Sequence, residues 1–238
     1  MYKNLTNVGL KEYLDVLCGG PMWHEDSWLK KLDIFAGTLS EENLRIVRLK
    51  FGVNDTHQQK DDNVNELMIA CAYHPTADFI PTQEGRKTSD LFDRSRNLKI
   101  EVKFLHEGED ETNRHRSDEF CAFSRPLSGS ELERRKTATT TFLGTKKCQE
   151  LLDKAVSQLE DEGKIYLVYD YNLLSRDNRG TREEPNWTAP VHAPLSGEEV
   201  GKVIKNYCTN FLTAYPNVSI EVIYFGDLRK RVANCELA

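Results

Sequence analysis

The chain has 238 residues, of which 39% are apolar and 29% charged, enough to bury one core of ordinary size with a modest appendage. Its formal net charge of −6 speaks against a protein that coats nucleic acid non-specifically, but leaves room for local positive charge beside metal-binding carboxylates. The six cysteines (Cys18, Cys71, Cys121, Cys148, Cys208, Cys235) form no CxxC pair and no Cys/His cluster at zinc spacing. Reduced thiols, a cytoplasmic location and no membrane insertion are therefore expected, since the polar start MYKNLTNVGLKEYL lacks an apolar signal core and no stretch nears a membrane span.

Residues 1–53 read as a helical region. Thr6 or Asn7 can cap a helix carrying Leu10, Tyr13, Leu14 and Leu17 on one face and stopped by Gly19-Gly20. A second helix is predicted through Trp28, Leu29, Leu32 and Phe35 to Gly37, and a third from Ser40 through Leu44, Ile46, Val47 and Leu49 to Gly52. These stripes are what core-facing helices look like. A polar linker is expected at Asn54–Asp62, and from there residues 63–238 read as one domain.

From Asn63 the pattern changes, and Leu67–Ala72 is apolar nearly all round, as in a buried helix. The runs RKTSDLFD and LKIEVKFL, joined by the turn-like RSRN, signal a β-hairpin. A charged stretch, HEGEDETNRHRSDE, precedes a brief strand candidate in EFCAFS. Thr141–Glu162 has helical spacing, KIYLVYDY is a buried-type strand, Ser196 with Glu199 forms a capping box for a helix to about Ala214, and VSIEVIYF closes the chain as a strand. Helix, three strands, helix and strand in this order predict an α/β domain with a central mixed sheet flanked by helices.

In LKIEVKFL, Ile100, Val102 and Phe104 point one way while Glu101 and Lys103 point the other, because side chains alternate along a strand. Asp90 lies on the partner strand, so two carboxylates can converge at one end of the sheet beside an ammonium. Neighbouring carboxylates repel and raise each other's pKa unless a cation lies between them. Mg²⁺ suits such an oxygen-only site, lowering the pKa of a bound water and stabilising charge on a phosphoryl oxygen. Lys103 beside it would orient or help deprotonate that water, so the set points to phosphodiester hydrolysis.

Ser89-Asp90, ten residues, then Glu101-Val102-Lys103 resembles the PD-(D/E)xK signature of the restriction-endonuclease-like nuclease superfamily, with serine where proline is frequent. That resemblance implies a restriction-endonuclease-like core preceded here by an N-terminal helical extension. It implies a Mg²⁺-dependent endonuclease, with Mn²⁺ able to substitute and DNA the expected substrate. Asp90, Glu101 and the backbone carbonyl of Val102 would bind the metal. Glu66, matching the acidic residue on the helix before the hairpin, would support a second metal or the water network. Lys154 and Gln158 are candidates for the polar residue supplied by the following helix. Members act in restriction, repair, junction resolution and defence, often as dimers, so a homodimer is a further expectation.

Each feature has a plainer reading. Glu-x-Lys is common on exposed strands, and Glu66 in a first helical turn serves the helix dipole. Asp93 is an alternative ligand to Asp90. His74, at the end of the buried helix, reads as structural. The basic runs Arg134-Arg135-Lys136, Lys146-Lys147 and Arg229-Lys230-Arg231 are ordinarily solvated faces, though each could contact phosphate, and Arg114-His115-Arg116 falls in the charged stretch. Two rival classes stand beside the enzyme: a catalytically inactive member binding nucleic acid or protein, and an unrelated α/β interaction module.

Overall fold

A computed structural model describes residues 2–10, 27–52, 57–81, 88–105, 147–169 and 197–236, with positions 130, 133 and 137. The elements in chain order are α1 (Lys3–Asn7), α2 (Ser27–Thr38), α3 (Glu41–Gly52), α4 (His57–Tyr73), β1 (Asp78–Phe79), β2 (Leu91–Asp93) and β3 (Leu98–Leu105). They continue with α5 (Lys147–Leu159), β4 (Gly163–Tyr169), α6 (Gly197–Leu212), β5 (Val218–Tyr224) and α7 (Phe225–Asn234). The chain divides into two compact units: Met1–Phe104 with Lys154–Val168 and Tyr215–Ala238, and Leu105–Asp153 with Tyr169–Ala214.

The first unit holds an open, mixed five-stranded sheet in the order β1-β2-β3-β4-β5, flanked by helices. The α/β class with a mixed central sheet therefore stands. Strands β1 and β2, and β2 and β3, are antiparallel, with Leu91 opposite Ile100 and Asp93 opposite Leu98. The hairpin expected around RSRN is present. Asp93 sets its turn by accepting hydrogen bonds from the Ser95 amide at 3.0 Å and the Ser95 hydroxyl at 2.6 Å, and Asn97 takes a positive φ of 48°. Ile100, Val102, Phe104, Leu105, Ile165, Leu167 and Val168 fill the sheet's core, each buried aliphatic side chain contributing about 1.5–3 kcal/mol.

The helices follow from local signals. Ser40 caps α3, its hydroxyl accepting from the Asn43 amide at 3.2 Å. Asp33 of α2 accepts from the Asn4 and Leu5 amides at 2.8 and 2.9 Å and so satisfies the first turn of α1. Leu152, Ala155, Val156 and Leu159 form the buried stripe of α5 while Asp153 and Lys154 stay exposed. In the second unit, Cys148 at the start of α5 and Cys208 of α6 are buried, and the Tyr207 hydroxyl bonds the Gln149 side chain.

Four expectations are corrected. Thr6 and Asn7 do not open a helix but close α1, because Gly9 at φ +88° lets the Leu10 amide close onto the Leu5 carbonyl at 3.0 Å; the body of the helix expected beyond them lies outside the described residues. The linker at Asn54–Asp62 is shorter, since α4 already starts at His57. A two-residue strand, β1, lies between Pro75 and Pro81, held to α3 where the Asn43 side chain accepts from the Phe79 amide at 3.0 Å. The closing strand stops at Tyr224, and Phe225 opens α7, whose Leu228 and Val232 are fully buried against its own unit. The EFCAFS strand, Tyr13, Leu14 and Leu17, and the runs at 114–116 and 134–136 lie outside the described residues. Among the described residues no helix is long and apolar enough to cross a membrane.

Candidate active site

Asp90 occupies the bend that leads into β2, its amide donating to the Ile100 carbonyl at 3.0 Å. That bond ties Asp90 to β3 just past the last paired residues, Leu91 and Ile100. The Asp90 carboxylate then accepts from the Val102 amide at 2.9 Å and is locked against β3. On β3 the alternation that puts Glu101 and Lys103 on one face brings them into an ion pair. Glu101 is fully buried, and its Oε2 has no hydrogen-bond partner. A fully buried carboxylate with one oxygen unsatisfied is costly, so a fold that keeps one needs a compensating charge.

Glu66 reaches the same place from α4. It is buried at 6% exposure directly before the fully buried Leu67, Met68 and Ile69, so a helix packed on nearly every side carries one carboxylate inward. Its partner is Lys50, from the last turn of α3, whose ammonium pairs with Glu66 and stands 3.9 Å from Asp90 Oδ1. The Lys50 backbone is held in turn, its carbonyl accepting from the Asn63 side chain at 2.9 Å. Sequence reasoning missed Lys50. A lysine at the end of an amphipathic helix is ordinary, and nothing local marks it as part of a site 40 positions from Asp90.

Three carboxylates and two ammonium groups thus share one cluster. Burial, then the Asp90 charge, pushes Glu66 up to about 8 and Glu101 up to about 9. Burial pulls the two lysines down, but the surrounding carboxylates outweigh it, so Lys50 and Lys103 end above their usual value. Glu66, Asp90, Val102 and Lys103 line a cleft of about 450 Å³ with Lys50, Lys154 and Gln158. Gln158 donates to the Thr88 carbonyl at 3.2 Å and leaves its buried Oε1 without a partner. Among the described residues no three Asp, Glu, His or Cys side chains form a ready metal-binding group. Glu66 and Glu101 are each engaged by a lysine.

The other sequence candidates are placed away from this cluster's chemistry. Asp93, the alternative to Asp90, bonds His74 Nδ1 at 2.8 Å, while His74 Nε2 bonds the Tyr166 hydroxyl at 2.8 Å. Both His74 and Asp93 are buried, and burial first, against the pull of Asp93, lowers the His74 pKa. This is a packed internal network. In the basic run of α7, Lys230 pairs with Asp227 at 3.0 Å, Arg229 lies over the Phe225 ring at 5.1 Å and Arg231 over the Tyr73 ring at 4.9 Å.

Compared with family models, curated proteins and solved structures, the chain matches none, and the functional reading rests on the site alone.

Proposed function

We propose that this chain is a metal-dependent endonuclease, hydrolysing phosphodiester bonds in DNA, with the restriction-endonuclease-like core that its motif resembles. One observation carries the reading: Asp90, Glu66 and Lys103 line one cleft, and behind them the fully buried Glu101, paired with Lys103, keeps one oxygen unsatisfied. Carboxylates held together against their own repulsion are what a hard cation requires. Asp90, Glu101 and the Val102 carbonyl would hold Mg²⁺ or Mn²⁺, with Glu66 beside them. Once bound, such an ion supplies an acidified water and a Lewis acid for the phosphoryl oxygen.

The protein's own residues do the rest. Lys103, paired with Glu101 at the cleft, would present its ammonium to the attacking water and the scissile phosphate. Gln158 and Lys154 on the cleft wall offer a hydrogen-bonding amide and a second positive charge to the backbone of the substrate. Free thiols at Cys71, Cys148, Cys208 and Cys235 suit the reducing cytoplasm.

The test is cleavage of linear, circular, branched and single-stranded DNA, and of RNA, with Mg²⁺, Mn²⁺ or excess chelator. Activity is expected to need the metal and stop in chelator. Lys103→Ala should lower turnover at least about 100-fold while keeping metal-dependent DNA binding. Glu101→Ala should abolish cleavage and leave binding intact, or tighten it without metal as repulsion of the phosphate is relieved. A wild-type protein that binds every substrate and cuts none would make this an inactive nucleic-acid-binding module.

A further inference from the structure

Resting on the metal-site reading above, we propose that Lys50 takes the place of a second metal ion, so that the site is a one-metal site with a built-in fixed cation. In two-metal nucleases a second divalent ion lies between carboxylates and neutralises them. Here the Lys50 ammonium does that, pairing with Glu66 and standing 3.9 Å from Asp90 Oδ1. Its side chain is 10% exposed and Glu66 is 8% exposed, so the pair is shielded from water, where exchange with a solvated ion is costly.

The backbone reinforces the placement. The Asn63 amide clamps the Lys50 carbonyl at 2.9 Å, joining the end of α3 to the α4 turn that precedes Glu66. Each carboxylate is held by a lysine, Glu66 by Lys50 and Glu101 by Lys103, but only Glu101 keeps a buried oxygen without a partner. The two carboxylates, alike in burial, therefore differ in role. Glu101, with Asp90, faces the exchangeable ion, and Glu66 anchors the fixed one. A lysine also differs from a metal in chemistry, because an ammonium neutralises charge but does not acidify a coordinated water. Hydrolysis at such a site would draw its nucleophile from the single ion.

The experiment counts Mn²⁺ ions on the full chain by isothermal titration calorimetry and electron paramagnetic resonance, near neutral pH and without nucleic acid. Wild type should bind about one ion. Lys50→Gln, checked for folding by circular dichroism, should bind about two and show the spin–spin broadening of neighbouring Mn²⁺ ions. Glu66→Gln, nearly isosteric, should still bind about one, since its carboxylate is not a ligand of that ion. Two ions on wild type, or one on Lys50→Gln, overturns the role of Lys50 and leaves the nuclease reading standing. Loss of the ion in Glu66→Gln overturns it as well, even if Lys50→Gln does not fold. No ion on wild type removes the metal site itself, and this inference with it.

Discussion

Glu101 and Glu66 place the strongest constraint on the single-residue scale. Their pKa values in the fold, about 9 and about 8, lie above the ordinary 4.5 of a glutamate because burial and then Asp90 disfavour the charged forms. The unfolded chain therefore gives up these protons first as pH rises. Stability contributed by the two groups falls between about pH 4.5 and about pH 9. A divalent cation would compete with the Glu101 proton. The rise in melting temperature produced by Mn²⁺ should accordingly grow with pH across that window, and Glu101→Gln should remove both the pH dependence of the shift and most of the shift. Scanning fluorimetry over a pH series, with and without Mn²⁺, measures both. A Mn²⁺ shift that ignores pH would show that Glu101 is not the group the ion displaces a proton from.

At the level of elements, the hairpin and its neighbours decide how accurately the carboxylates are held. Gly163 opens β4 with φ at +148°, and a Cβ there would lie 2.6 Å from the Lys99 carbonyl on β3 and 2.9 Å from Leu159. Only glycine permits that approach of β4 to the strand carrying Glu101 and Lys103. Gly163→Ala should cost on the order of 2–3 kcal/mol, combining an unfavourable backbone region with a steric clash. Urea denaturation gives the number, and a change below about 0.5 kcal/mol would mean that the strands separate easily at this point. α3 has a comparable double duty. Asn43 near its start fixes β1, and Lys50 near its end pairs with Glu66, so one helix ties the sheet edge to the charge cluster.

For the molecule as a whole, the first unit is assembled from three separate stretches of chain. α7, near the C-terminus, packs on α2 and α4, and its Leu228 is fully buried. Such a unit should unfold together. Leu228→Ala is expected to cost about 2–5 kcal/mol, as large-to-small changes in a packed core do. Amide exchange should quicken in α2 and α4 as well as in α7. Faster exchange confined to α7 would show instead that the last helix frays alone.

How much of this was legible beforehand divides along a physical line. The Asp90–Glu101–Lys103 arrangement depends on strand alternation and on a short hairpin, both local, and so it can be read from residues a few positions apart. The buried run after Glu66 and the Ser40 cap are equally local. β1 was not legible, because two residues between prolines carry no periodicity, and its pairing comes from Asn43 and β2. α7 was hidden because its first residue, Phe225, continues the apolar run of β5. Lys50 could not be found from sequence. Its role comes from α3 and α4 packing so that an ordinary lysine meets a buried carboxylate 16 positions on, and Asp90 beyond it. Sequence by itself determined which charges one strand pair would bring together. The tertiary structure decided which of them are buried, which are already neutralised, and which one keeps an unsatisfied oxygen, because desolvation depends on everything packed around a group and not on its neighbours in the chain.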